Sequence, residues 1–294
     1  MRAATRLLAG LNRRPRLLAA SLLAPGTVWL LVFFFVPIAV VFAYSFMTRG
    51  TYGGVAGGFT LEHYRRFIDP LYLTVLRRTV VLAASCTALC LVLGYPLAFA
   101  IARGGRWKSL LLFLVVVPMW TSFLVRTYAM IFLLRDTGFI NSVLAALGLV
   151  REPLVMLYTP GAVLAGLVYG YLPLMVLPIY VSLEKLDPTL LEAAEVLGAG
   201  PTARFLRITL PLSAPGVVAG AMLVFIPALG AFLTPDLLGG AKQMMIGTLV
   251  QNQFGAARNW PFGSASSFIL MAVVLAAVLG YLRLRDRSPM EMAA

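Results

Sequence analysis

The sequence predicts an all-α, polytopic membrane protein with six transmembrane helices, on two observations. Of its 294 residues, 61% are hydrophobic and only 12% are charged. The mean hydropathy is +0.91, far above that of soluble globular chains. The apolar residues also gather into uncharged runs long enough to cross a bilayer, which takes about 20 residues each. These runs lie at 21–46, 79–102, 109–125 (continuing past Arg126 to 134), 154–183, 208–235 and 260–282. They are continuous rather than alternating, which excludes a β-barrel.

The first run follows a basic arm, residues 1–20, that carries Arg2, Arg6, Arg13, Arg14 and Arg16 and no acid. A cleavable signal has an apolar region of only about 7 to 15 residues. Run 21–46 is therefore read as an uncleaved first span. The loop at 48–78 is rich in glycine (Gly50, Gly53, Gly54, Gly57, Gly58), and residues 62–68 can form a short interfacial helix. His63, beside Glu62 in this loop, reads as a solvated surface residue. In the second run, Cys86 and Cys90 lie four apart on one helix face and read as buried structural thiols. The loop at 135–153 holds a small amphipathic helix at 140–149, with Asn141 near its start.

Even numbers of spans put both termini on one side, and the basic residues choose it. The arm, the short turn with Arg103, Arg106 and Lys108, and a tail with Arg283, Arg285 and Arg287 outweigh Arg65, Arg66, Arg77 and Arg78 on the other side. Both termini are therefore expected in the cytoplasm. The chain divides into the arm at 1–20, one six-helix domain at 21–283 and a tail at 284–294. Much of the net charge of +13 is accounted for by topology and contact with anionic lipid. Nucleic-acid binding would need a folded basic domain for which there is no room.

Proline stands inside the spans at Pro37, Pro96, Pro118, Pro173, Pro178, Pro215 and Pro227, a pattern of kinked helices that suits a protein that moves. Gly166 and Gly170, and Gly216 and Gly220, have the small-xxx-small spacing that lets helices approach closely.

One polar stretch, 184–211, interrupts this apolar chain on the cytoplasmic side. Asp187-Pro188 is a helix-start signal, with the acid as N-cap and proline where a missing N–H costs nothing. The helix is expected to run to Leu197 and to end at Gly198 in a left-handed conformation. Leu190, Leu191, Ala194 and Leu197 form its apolar stripe, with Glu192 and Glu195 on the other side. Gly200-Pro201 then starts a second short helix that runs into the fifth span. Two short helices joined at a glycine make an elbow, whose stripe can seat in a groove of a soluble protein while Glu192 pairs with a basic residue at its edge.

The spacing Glu192-Ala193-Ala194, Gly198, Ile208, Leu210-Pro211 resembles the EAA loop of the membrane subunits of bacterial ABC importers. Further matches lie in Pro118-Met119-Trp120-Thr121, Arg126-Thr127-Tyr128, Gly138 and Asn141. Others follow at 227–232, at 235–240 and in Asn259-Trp260-Pro261-Phe262-Gly263. Together they are similar to the spermidine/putrescine permease group. The resemblance implies a type I ABC importer permease fold in the bacterial inner membrane, with the elbow as a coupling helix. It also implies partners: two copies of a cytoplasmic ATPase, a second membrane subunit that is a different chain, and a periplasmic or extracellular substrate-binding protein. Coupling is then carried by Glu192, Ala193, Ala194, Leu197, Gly198, Ile208, Leu210 and Pro211.

No GxxxxGK[ST] sequence is present, so the chain is not expected to cradle ATP or to act as an enzyme by itself. ATP and magnesium belong on the partner, and no metal-ligand cluster is visible. A polyamine such as spermidine or putrescine calls for carboxylates and aromatic faces, yet the six runs hold no acid. Candidates along the path are Trp120, Tyr128, Tyr169, Asp236 and Trp260. Arg126 cuts the other way, because a cation near the path repels a polyamine; pairing with an external acid or snorkelling to headgroups is its structural alternative. An amino-acid-like or opine-like solute is the alternative cargo. An ion-gradient-driven secondary transporter is the rival from another class, which calls for membrane-embedded acids and often an inverted repeat.

Overall fold

Six helical stretches long and apolar enough to cross a bilayer are present among the residues described. The structure is a computed structural model that describes residues 15–291. Arg2, Arg6, Arg13 and Arg14 of the basic arm, and residues 292–294 of the tail, lie outside the described residues. The first crossing is made by α1 (Pro15–Leu30), a π-turn (Leu31–Phe35) and α2 (Val36–Tyr44). The second is the long helix α4 (Pro70–Ala102). The third is split into α5 (Lys108–Val116), a 3-10 turn (Val117–Trp120) and α6 (Phe123–Leu134). The fourth is α8 (Pro160–Glu184) and the fifth runs from α10 (Pro201–Arg204) through a π-turn (Phe205–Thr209) into α11 (Leu210–Leu229). The last is α14 (Trp260–Glu291).

Three helices start by the same device, a capping oxygen followed by proline. Asp69 accepts the N–H of Leu71 at 2.9 Å before Pro70, Thr159 accepts that of Ala162 at 3.1 Å before Pro160, and Asp187 accepts that of Thr189 at 2.9 Å before Pro188. The cap satisfies an orphan donor, and proline removes another.

The core forms where α8 packs between α4 and α11. Its buried side chains include Leu167, Met175, Val176 and Ile179 of α8, Cys86, Cys90 and Ile101 of α4, and Val224 of α11. Cys86 and Cys90 are free and fully buried. Glycine brings these helices together. A Cβ at Gly220 would stand 2.8 Å from Met175 Sδ, one at Gly216 would meet Ser182 and the Pro178 carbonyl, and one at Gly94 of α4 would stand 3.2 Å from Met175 Cγ. Gly166 and Gly170 likewise receive Thr234 and Phe123. Both small-residue pairs serve packing within the chain.

The segments at the end of the molecule opposite the elbow hold more structure than the sequence suggests. A two-stranded antiparallel hairpin, β1 (Met47–Arg49) and β2 (Val55–Phe59), qualifies the all-α expectation. Its turn uses Gly53 at φ +95° and Gly54 at φ +75°, which β-branched or bulky residues rarely adopt. The short helix α3 (Glu62–Phe67) follows, as expected. His63 is not a solvated surface residue: it is 7% exposed, with Nε2 3.0 Å from the Met47 carbonyl and its ring near Phe262. Met47 at the start of the hairpin and Phe262 of the last helix close over it, which no local pattern revealed. The second span begins at Pro70 rather than near 79, because Arg77 and Arg78 are carried on the helix and Arg78 donates to the Lys242 carbonyl. Residues 236–259 are largely helical, in α12 (Leu233–Gly239) and α13 (Ile246–Phe254).

Asn141 lies in α7 (Phe139–Ala146), 3% exposed. Its amide donates to the carbonyls of Leu154 and Arg135 and accepts the N–H of Leu154 at 2.9 Å, tying the 147–154 loop to the end of α6. Asn141→Ala is expected to cost about 2 kcal/mol by stranding these groups. A fall in the thermal midpoint of the purified protein checks it.

Candidate functional site

The elbow is built as its sequence dictates. Helix α9 (Pro188–Val196) begins at the Asp187 cap, where the N–H of Thr189 and then its hydroxyl hold the carboxyl below its ordinary range. It ends at Gly198 with φ +82°. Ala199 donates to the Ala194 carbonyl and Gly198 to that of Glu195, each at 2.9 Å, which is the Schellman closure. The cap turns the last apolar side chains outward: Val196 is 88% exposed and Leu197 87%. Glu192 is exposed beside Ala193 and has no ion-pair partner among the described residues. The stripe expected from Leu190 to Leu197 is therefore divided. Leu191 and Ala194 turn toward the protein, where Leu191 lines a cleft of about 420 Å³ with Phe99, Arg103 and Phe205. Leu190 and Leu197 face out.

The second limb is locked to the first and to the bundle. Arg204 of α10 pairs with Glu195 at 2.5 Å. Helix α9 thus has two acids with different roles, one paired within the chain and one without an ion-pair partner among the described residues. Because Glu195 is two-thirds exposed on its side chain, such a pair contributes little stability. Glu195→Gln is expected to shift the thermal midpoint by no more than about 2 °C, which a melting curve of the purified protein checks. Phe205 lies edge-on between Tyr95 and Phe99 of α4, with centroids 5.8 and 5.7 Å away. About two turns on, Ser213 donates to the Leu210 carbonyl and is 2.9 Å from the Tyr95 hydroxyl, from which it can accept. Ile208 is half-buried, and Leu210 and Pro211 are exposed on the same helix. Tyr95, Phe99, Phe205 and Ser213 were not singled out from the sequence. The signal was there, in tyrosine and serine placed within apolar runs.

The path candidates do not form one cluster. Tyr169 of α8 is brought beside Arg126 of α6, whose guanidinium lies 5.9 Å from its ring and 5.5 Å from that of Phe123. Arg126 Nε and Nη1 are buried without a hydrogen-bond partner among the described residues. Nearby, Phe123, Tyr171, Phe232 and Thr234 line a cavity of about 280 Å³, where the break before α6 faces the break between α11 and α12. Trp120 stands at the first break, 74% exposed and edge-on to Phe113. Tyr128 is exposed on α6 and Asp236 is exposed on α12. Trp260 stands apart, donating to the Phe254 carbonyl at 3.2 Å and facing Tyr44.

Residues 91–286 match the family described as "Binding-protein-dependent transport system inner membrane component". The chain is 45% identical over 256 residues to the spermidine/putrescine transport system permease protein PotB of Escherichia coli, covering 87% of this chain and 93% of that protein. It is 43% identical to the PotB protein of Haemophilus influenzae, covering 87% and 90%. In fold it resembles a chain of a bacterial ABC transporter that imports the acidic polysaccharide alginate, with a TM-score of 0.72, 18% identity and coverage of 96% and 99%. Six membrane-crossing helices and these similarities make it a multi-pass protein of the inner membrane. The chain belongs to the inner membrane components of binding-protein-dependent transport systems, as an ABC importer permease of the PotB type.

Proposed function

We propose that this permease carries a polyamine such as spermidine or putrescine across the inner membrane, driven by ATP that a separate subunit hydrolyses. Its 45% identity over 87% of its length to the PotB spermidine/putrescine permease supports the cargo. The single structural observation that carries the coupling is the elbow, with its free Glu192 and its outward Val196 and Leu197. A protruding apolar tip beside an unpaired acid suits a groove with a basic edge on a soluble protein. The elbow end is read as cytoplasmic from the basic residues, placing the 1–20 arm and the 284–294 tail there too. Two copies of an ATPase, holding ATP and magnesium, take the elbow and its counterpart on a second, different membrane subunit. An external binding protein delivers the cargo, consistent with the alginate transporter, whose structure is known with a substrate-bound periplasmic protein.

The cycle follows from rigid coupling. Closure of the ATPase pair carries α9, the short link at Ala199-Gly200 passes the motion to α10, and Phe205 between Tyr95 and Phe99 passes the displacement to α4 as well as to α11. Proteoliposomes holding the whole transporter are expected to take up spermidine or putrescine only with the binding protein and ATP present. Uptake that survives ATP depletion but collapses with the proton gradient points instead to a secondary transporter. One observation favours a second cargo: a cation, Arg126, lies beside Tyr169, as an amino-acid-like or opine-like solute with a carboxylate would prefer. Thermal stabilisation of the binding protein by each ligand class decides between them.

A further inference from the structure

We propose that Arg126 is one half of a membrane-buried ion pair whose carboxylate comes from the second membrane subunit, marking the face on which the two permease chains meet. This rests on the reading of the chain as one of two different membrane subunits carrying a cationic cargo.

Depth comes first. Arg126 precedes Leu134, the end of α6, by eight residues, or about 12 Å at 1.5 Å per residue. Tyr169 follows Pro160, the start of α8, by nine residues, or about 13 Å. Both therefore lie about 12–13 Å inward from the hairpin-side ends of their helices, within the crossing stretches rather than at their rims. The guanidinium lies against the ring of Phe123, one turn back along α6 and away from the hairpin end, and against that of Tyr169. A snorkelling arginine on this half of the span would extend toward the hairpin end and its headgroups. This one is held inward between two aromatic rings.

Its donors lack acceptors. Nε and Nη1 are buried and unpartnered among the described residues, and ring faces satisfy the charge but not the in-plane N–H groups. The six apolar runs contain no acid. Asp236 lies on α12, which packs against α6, yet it forms no ion pair with Arg126. Lipid phosphates do not reach this depth, and a cationic cargo supplies no acceptor. Arg126 as a whole is partly exposed, and it borders an exposed apolar stripe on α6, Val125, Ala129 and Phe132, at helical spacing. A carboxylate carried by a helix seated on that stripe meets the guanidinium at Nη2, the nitrogen this chain does not enclose, and completes the pair. A charge buried against one particular partner also rejects wrong ones.

The test uses the complete transporter, co-expressed and captured through this chain. Wild type that recovers only further copies of itself overturns the two-subunit reading and this pairing together, because the six runs of this chain hold no acid. Given a second membrane subunit, Arg126→Met is expected to lower its recovery by about tenfold or more, and Arg126→Lys to keep most of it. The isolated chain with Arg126→Met is expected to melt no lower than wild type, since no counter-ion is lost there. Combining Arg126→Glu with arginine at each membrane-embedded acid of the other subunit, one at a time, is expected to restore recovery at one position. The proposal is overturned by undiminished recovery with Arg126→Met, by an equal loss of stability in the isolated chain, by failure of every exchange, or by altered cargo preference with assembly intact.

Discussion

A permease carrying Glu192→Arg and Gly198→Val is expected to lose both its ATPase on purification and its solute uptake. The two changes act on different parts of one contact. Glu192 is the acid of α9 with no ion-pair partner among the described residues, so reversing it places like charges at the basic edge of the groove. Gly198 holds φ +82°, where a β-branched residue is strained by about 1–2 kcal/mol. Relief of that strain opens the Schellman closure and withdraws the tip formed by Val196 and Leu197. Nothing lies within 4 Å of a Cβ at Gly198, so the bundle itself is not disturbed and the purified chain should melt normally. Normal ATPase co-purification together with normal uptake in this variant would end the docking interpretation.

Gly220→Val is expected to have the opposite signature, losing the fold before it loses the partner. Its Cβ would lie 2.8 Å from Met175 Sδ and 3.0 Å from the Met175 carbonyl oxygen. The thioether can bend away, but the backbone of α8 cannot. Overpacking at the junction of the two most extensively packed helices is expected to cost about 3 kcal/mol or more. Gly280→Val, with open space around its Cβ, is the matched control and should leave stability no lower than wild type. Size-exclusion profiles after heating, compared between the two, check the contrast. A Gly220→Val protein as stable as wild type means that α8 and α11 are not locked at this point.

The six crossings and the elbow were legible because their signals are local. Apolar runs mark spans, Asp187-Pro188 marks a helix start, and Gly198 marks its end. What stayed hidden depends on segments distant in the chain. His63 is buried against the Met47 carbonyl and the Phe262 ring, the latter on the last helix and far along the chain, and the run around it is too short and too polar to reveal that cover. Periodicity placed Leu191 and Leu197 on one stripe, but it cannot tell which of them faces the protein, because that depends on Phe99 and Phe205 beneath the helix. Glu192 and Glu195 read alike in sequence. Only the fold of α10 against α9 brings Arg204 to one and leaves the other bare. Among the path candidates, residue type suggested aromatics and an acid, while their grouping depends on where two helices break.

The contact of Met175 with glycines on both sides also bears on how such a bundle moves. Its side chain is flanked by Gly94 of the second span and Gly220 of the fifth, beside a close approach of the α8 backbone to Gly220, so part of the contact with each neighbour is a flexible thioether on a bare stretch of backbone. Interlocked branched side chains resist sliding, because every step must lift a knob out of its hole. A soft, unbranched side chain on smooth tracks can roll through several rotamers as the helices turn. Such seams lower the resistance to small rotations of the central helix against both neighbours, while branched side chains around them, Val176 and Val224 among them, keep the core filled.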